Sequence, residues 1–299
     1  MTFVPDRPST RIPRTEPLKR LLAERGLTLK KRWGQHFCLD QNLLDFIVRT
    51  ADPGPGDVVL EIGPGLGHLT RVLSPACGRV VAVEIDRGLA AVLRERLADL
   101  RNVTLVESDV LAAGERLNPK VIDAVQSALA ASPGAGLLVV SNLPYAVAAT
   151  AILALLESGL PIARMVVMMQ KEVAERLAAS PGDPAYGLTS VLAQAKAGVH
   201  VRRRVPPEVF WPRPRVPSAI AVITPVAAPL EGEDYLRLKR VAKAVFVHRR
   251  KTVAASIRLL GEAGKPLTAR LEACKLDPGT RVDELGLDAF RCLAGISRR

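Results

Sequence analysis

From residue 57 onward, short apolar runs alternate with stretches whose apolar residues recur at helical spacing, and this alternation limits the possible folds more than any other feature. Short strands and one-sided helices cover each other best as repeated βα units, so the pattern predicts a mainly parallel sheet flanked by helices. Strands are expected over residues 58–62, 80–84, 103–106, 137–140 and 165–169, with a late strand over 219–223. Between them, residues 86–100 predict a helix with Leu89, Val92, Leu93, Leu97 and Leu100 on one face and Arg94, Glu95 and Arg96 mostly outward. Shorter helices are expected over 150–158 and 171–179.

Proline then thickens. Pro206, Pro207, Pro212, Pro214, Pro217, Pro225 and Pro229 rule out a continuous helix. Beyond them the periodicity becomes helical over 235–260, 267–275 and 288–296. A chain of 299 residues that is 48% apolar can bury one large core and a smaller one. The expected division is a flexible N-terminal extension (1–29), a sheet domain (30–228) and a helical domain (229–299).

No run approaches the roughly 18 apolar residues of a membrane span, and the N-terminus, with Pro5, Pro8 and Pro13 among charges, lacks the apolar centre of a signal peptide. A cytoplasmic location is expected. Cys38, Cys77, Cys274 and Cys292 are far apart and have no histidine at metal-ligand spacing, so four reduced thiols are expected, with neither zinc nor a disulfide. The net charge of +12 is unevenly placed: residues 1–32 hold nine Lys/Arg against three acids, 200–215 five against one, and 237–258 eight against none. These clusters outweigh the net charge, which leaves the rest of the chain acidic. Such clusters suit a polyanionic partner, because they release counterions from phosphates.

The segment Glu61-Ile62-Gly63-Pro64-Gly65-Leu66-Gly67 closes the first strand and opens a helix. Its glycines let the backbone approach a bound nucleoside, with the spacing G-x-G-x-G in place of the G-x-G-x-x-G of dinucleotide binders. Glu84, 21 residues after Gly63, ends the second strand where a carboxylate can accept hydrogen bonds from both ribose hydroxyls. Asp109 follows the third strand and can accept from an adenine amine. Either acid alone could merely cap a helix. In order after a glycine loop, they suit S-adenosylmethionine, which has a ribose and an adenine but no pyrophosphate.

Asn142-Leu143-Pro144-Tyr145 lies beyond the fourth strand, at the edge where open α/β sheets bind ligands. An aryl amine is a poor nucleophile because its lone pair is delocalised into the ring. Hydrogen bonds from its two N–H groups to the Asn142 side-chain oxygen and to the Leu143 or Pro144 carbonyl favour a pyramidal nitrogen aimed at a methyl donor. Tyr145 can stack on the base, worth roughly 1 to 3 kcal/mol. No metal or covalent nucleophile is required. His68, His200 and His248 stand singly and are expected to be ordinary hydrogen-bonded histidines.

These pieces resemble the ribosomal RNA adenine N6,N6-dimethyltransferases, the KsgA group, from about residue 30 to 296. The matching residues are Gly34-Gln35-His36-Phe37 with Asp40, the glycine segment, the tetrapeptide 142–145, Gln170-Lys171-Glu172-Val173, Tyr186-Gly187, Phe210 with Pro212 and Pro214, Ser218-Ala219, and Arg249-Arg250-Lys251-Thr252. The resemblance implies a class I S-adenosylmethionine-dependent methyltransferase fold, Rossmann-like, with a small all-helical C-terminal domain. It further implies cofactor contacts at His36, Cys38, Gly63, Glu84, Asp109 and Asn142. Three positions depart from the commonest pattern: Cys38 stands where leucine is usual, His36 where asparagine is frequent, and Ala146 where asparagine often follows the tyrosine.

The resemblance also implies that the C-terminal domain contacts rRNA. Projected on one continuous helix, Arg237, Arg240, Lys243, Arg250 and Lys251 share one side, and Leu238, Val241 and Val245 the other. Arg249 falls toward the apolar side, as a paired structural arginine would. The implied substrate is small-subunit (16S-type) rRNA in the immature small ribosomal subunit, dimethylated at two adjacent adenosines, and since nothing in the sequence suggests an oligomer a monomer is expected. A large-subunit rRNA adenine N6-methylase of the antibiotic-resistance type, and an assembly factor acting mainly by binding, are the alternatives.

Overall fold

The computed structural model describes residues 16–29 and 34–297. Every residue of the strand Val58–Ile62 is buried, as parallel strands covered on both faces require. In chain order the first half comprises α1 (Glu16–Glu24), β1 (Phe37–Cys38), α2 (Gln41–Ala51), β2 (Val58–Ile62), α3 (His68–Leu73), β3 (Arg79–Glu84), α4 (Arg87–Arg96), β4 (Val103–Glu107), β5 (Leu111–Ala112), β6 (Arg116–Leu117) and α5 (Pro119–Ala130). Next come β7 (Leu137–Asn142), α6 (Ala148–Glu157), β8 (Ile162–Gln170), α7 (Lys171–Ala178), α8 (Leu188–Gln194), β9 (Ala197–Val205), β10 (Phe210–Trp211) and β11 (Ser218–Pro225). The C-terminal helices are α9 (Gly232–Phe246), α10 (Val253–Leu259), α11 (Lys265–Ala273) and α12 (Leu287–Leu293).

The central sheet has seven strands in the order β4-β3-β2-β7-β8-β11-β9. Its β2–β3, β3–β4, β2–β7 and β7–β8 pairings are parallel, and β11 runs antiparallel to both β8 and β9. Residue alternation divides the core. Val58, Leu60 and Ile62 pack with Val121, Val125, Ile152 and Leu155, while Val59 faces Ile47, Val48, Leu69 and Leu73. The strand order reverses between β2 and β7, so a crevice forms past their carboxyl ends, the ligand position in open α/β sheets.

Two local expectations change. The helix expected over 235–260 is two helices, because the chain turns after α9 and Thr252 starts α10 by accepting from the Ala255 N–H at 3.2 Å. Residues 16–29, expected to be flexible, instead include α1, whose Leu18 and Leu22 pack with Leu66, Leu89 and Val92. Arg25 adds a two-pronged bond to Glu95 at 2.6 Å. Residues 1–15 lie outside the described residues.

The expectation of four reduced cysteines is corrected as well. Cys274, just after α11, and Cys292, in α12, form a disulfide. Their separation along the chain hid the pairing, which depends on how two helices pack. Cys38 and Cys77 are free and buried. The apolar cluster of the helical region also takes Tyr186, Val191 and Leu192 from before residue 228, alongside Tyr235, Leu238 and Phe290.

Candidate active site

A cleft of about 1130 Å³, including its open mouth, lies at the reversal point of the sheet. Its walls bring together all six residues expected to bind the cofactor, His36, Cys38, Gly63, Glu84, Asp109 and Asn142, and the whole segment from Asn142 to Tyr145. His36 and Cys38 come from the β1 segment, Gly63 from the loop after β2, Glu84 and Asn142 from the ends of β3 and β7, and Asp109 from the loop after β4, so the parallel strands set much of their spacing.

The glycine segment forms the floor. Gly63 and Gly65 both have positive φ, at 68° and 61°. A Cβ on Gly63 would stand 2.9 Å from the Pro144 ring, and one on Gly65 would stand 2.7 Å from Phe37. Backbone is thus laid against the tetrapeptide on one side and an aromatic edge on the other, a cradle only glycine permits. The Gly65 N–H donates to Glu84 Oε2 at 3.1 Å, and the Asp86 N–H to Oε1 at 2.9 Å. Each carboxylate oxygen keeps a further lone pair, so Glu84 is held rigidly and can still accept from two vicinal hydroxyls.

Burial pushes the Glu84 carboxyl up to about 7 despite these bonds. Glu61, beside it, is pushed up by burial to about 8, and Thr70 Oγ donates to it at 2.6 Å. Burial, with Arg96 nearby, holds His68 down at about 4, so its imidazole is neutral near pH 7. Asp109 is exposed at the rim. Its Oδ1 accepts from the Leu111 N–H at 2.9 Å.

A small antiparallel pair, β1 with β10, forms a flap beside the cleft. His36 Nδ1 bonds the Pro212 carbonyl oxygen at 2.6 Å, and the His36 carbonyl accepts from Asn142 Nδ2 at 2.9 Å. That second bond fixes the amide: with Nδ2 committed to the flap, Asn142 Oδ1 points away from it as a free acceptor. The Cys38 thiol is buried and pushed up to about 12, so it stays protonated and uncharged.

Leu143 is fully buried and donates its N–H to the Met168 carbonyl at 2.9 Å, anchoring the tetrapeptide to β8. The Pro144 carbonyl is engaged by the Val147 N–H at 3.1 Å, which favours the Leu143 carbonyl as second acceptor for an amine. Tyr145 is half-buried. Its Oη bonds Ser218 Oγ at 2.5 Å, and its ring lies 5.1 Å from that of His36, tilted by 37°. Ala146 is exposed beside it.

Phe37, Glu61, His68 and Ile85 also line the cleft and were not among the expected site residues. Glu61 was visible within the glycine segment. Nothing in the sequence distinguished His68 from an isolated histidine. Ser218 was visible only as part of the resemblance, since its contact with Tyr145 spans 73 residues.

The cationic residues of the C-terminal region separate. Arg237 pairs with Asp234, and Arg240 with Glu233, both on the first turn of α9. Lys243 is exposed on α9, whereas Arg250 and Lys251 are exposed in the turn before α10. The single continuous stripe is therefore corrected to a helix face plus a turn. Arg249 points inward, donating to the Pro184 carbonyl at 2.6 Å and standing 3.7 Å from buried Asp283.

The sheet order, the glycine cradle and the acids at the ends of β3 and β4 define a class I S-adenosylmethionine-dependent methyltransferase. Residues 26–291 match the family described as ribosomal RNA adenine dimethylase, and the chain belongs to that family. A relative in Streptococcus sanguinis, "Ribosomal RNA small subunit methyltransferase A", is 40% identical over 279 residues, covering 92% of this chain and 93% of its own. A protein of the same name in Anaeromyxobacter dehalogenans is 44% identical over 285 residues, covering 93% and 96%. Among solved structures, the 23S rRNA methyltransferase ErmE aligns with a TM-score of 0.63 and 26% identity, covering 87% of this chain and 98% of its own. A dimethyladenosine transferase from Plasmodium falciparum shares the fold with a TM-score of 0.67, 23% identity, and coverage of 85% and 97%.

Proposed function

We propose that this protein transfers methyl groups from S-adenosylmethionine to N6 of two adjacent adenosines in small-subunit (16S-type) rRNA, giving N6,N6-dimethyladenosine. The observation that carries the reading is the convergence of Glu84, Asp109 and the segment Asn142 to Tyr145 on one cleft. The cofactor, when bound, supplies an electrophilic methyl carbon on a sulfonium. Glu84 would accept from its ribose, Asp109 would accept from its adenine amine, and Gly63 would let the backbone lie against it.

The target adenine leaves its stack, at a cost of a few kcal/mol, and rests on Tyr145. Its two N6 hydrogens donate to Asn142 Oδ1 and the Leu143 carbonyl, which pulls the nitrogen out of conjugation and aims its lone pair. Each N–C bond would form as the donor's methyl carbon leaves its sulfur, which becomes a neutral thioether, and one N6 proton would be lost to solvent through the open mouth. With no charged group within the residues that touch N6, catalysis is positioning and desolvation.

In this reading residues 30–228 act as the methyltransferase domain and 229–299 as the rRNA-contacting one, the protein acts as a cytoplasmic monomer, and the substrate is an immature small subunit. The curated relatives named for the small subunit are 40–44% identical over more than nine tenths of the chain, against 26% for ErmE, which favours the small-subunit target.

Incubation of the protein with labelled S-adenosylmethionine and undermethylated small subunits tests the reading. Label should appear in N6,N6-dimethyladenosine. Label confined to cytosine, to protein or to large-subunit RNA refutes it. Asn142→Ala should lower turnover by roughly 100-fold or more, the scale of one lost transition-state hydrogen bond, while subunit binding persists.

A further inference from the structure

We propose that the arginines at the carboxyl end of β9 and in the loop after β10, Arg202, Arg204 and Arg215, form a phosphate-binding surface on the sheet domain that grips the RNA backbone beside the extruded adenosine. The inference rests on the function proposed above and adds a second RNA contact, separate from the helical region.

Its position comes from strand register. β9 is the edge strand, and its Val205 pairs with Ser218, whose hydroxyl bonds Tyr145. Arg204 pairs with Ala219, the next residue of β11. Neighbouring strands lie about 4.8 Å apart, so the basic end of β9 stands one strand beyond the residue that holds the stacking tyrosine. Arg215 follows the flap strand β10 and precedes Ser218, on the same rim.

Three observations separate this surface from an ordinary solvated edge. First, Arg202 occupies a β-bulge: Ile220 pairs with Arg203 and Ala221 with Val201, so Arg202 has no partner across the strand. A bulge at a sheet edge re-aims a side chain and recurs next to active sites. Second, the charge is not neutralised. Arg202 and Arg215 are exposed and make no ion pair among the described residues. Arg204 reaches Glu175 only at 3.5 Å, and that carboxylate already holds Lys171 at 2.8 Å. Third, every arginine of β9 lies in its last four residues, at the cleft end of the sheet. Charge that only discourages edge pairing would serve anywhere along the strand.

Arg203 turns to the opposite face, over the Phe46 ring at 5.0 Å, and Arg213 pairs with Glu208, so neither is part of the surface. Guanidinium forks match phosphate oxygens two at a time. The ligand class is the RNA backbone, recognised without regard to sequence.

The test compares wild type with Arg202→Gln/Arg215→Gln and the charge-retaining Arg202→Lys/Arg215→Lys, using undermethylated small subunits over a range of salt. The glutamine variant should raise KM for the subunit roughly tenfold at moderate salt, and lower the slope of log KM against log salt by about 1.4, or 0.7 per lost contact on a single strand. The lysine variant should restore the slope. Calorimetric titration with S-adenosylmethionine checks the fold, since these arginines lie outside the donor cleft. A glutamine variant with wild-type KM and slope overturns the inference while leaving the proposed function standing. A wild type that labels no small-subunit adenine overturns both.

Discussion

Glu61 shows how strongly this site depends on individual burial. Its carboxyl sits 2% exposed beside a second buried acid, with one hydroxyl donor, and burial lifts it to about 8. The folded protein therefore holds a proton that the unfolded chain releases above about pH 4.5. Stability from this group is complete below that unfolded value and is lost as pH rises through about 8. Glu84 acts in the same direction up to about 7. Glu61→Gln keeps an acceptor for Thr70 and removes one titration, so its melting temperature should fall less than that of wild type across this window, as read by scanning calorimetry. Parallel profiles would show that Glu61 is ionised in the fold. Tyr145 and Asn142 were legible in the sequence because a polar amide, a proline and an aromatic form a compact motif. Ser218 and the His36 carbonyl, which orient them, were not, because those contacts cross 73 and 106 residues.

At the scale of elements, the six strands expected from apolar runs are all present within a few residues of their expected bounds. Four of them, β2, β3, β7 and β8, are largely buried strands of the parallel part of the sheet, and such strands leave continuous apolar runs that stand out without any tertiary information. The edge strand β9 and the two-residue strands β1 and β10 left no such trace, since a half-exposed arginine-rich edge and a short flap lack periodicity. The same reasoning failed over 235–260, where helical spacing ran through a real break. Thr252 explains it: its side chain caps α10, and Ser256 Oγ donates to the Val245 carbonyl at 2.8 Å, folding α10 back on α9. Thr252→Ala should cost about 1 kcal/mol and lower the melting temperature by about 2 °C. An unchanged melting temperature would mean that packing alone sets the break. Because Arg250 and Lys251 stand in this turn, the cap also presents the cations.

For the whole molecule, charge is arranged in parts that sequence counting merged. Of the cations projected as one RNA-facing stripe, Arg237 and Arg240 are neutralised on their own helix, and Lys243, Arg250 and Lys251 make no ion pair among the described residues. Binding of the subunit should therefore depend on the turn more than on the first half of α9. Arg250→Gln/Lys251→Gln should reduce the salt slope of subunit binding by about 1.4, whereas Arg237→Gln/Arg240→Gln should change it by less than half as much. Equal effects in an equilibrium binding assay would show that the α9 ion pairs open on RNA.

The central claim is that donor and target amine meet in one cleft between Glu84 and Asn142. A crystal structure of the protein grown with S-adenosylmethionine tests it most directly. The ribose hydroxyls should lie within hydrogen-bond distance of Glu84, with the sulfonium methyl directed toward Asn142 Oδ1. A donor seated away from both residues would contradict the account.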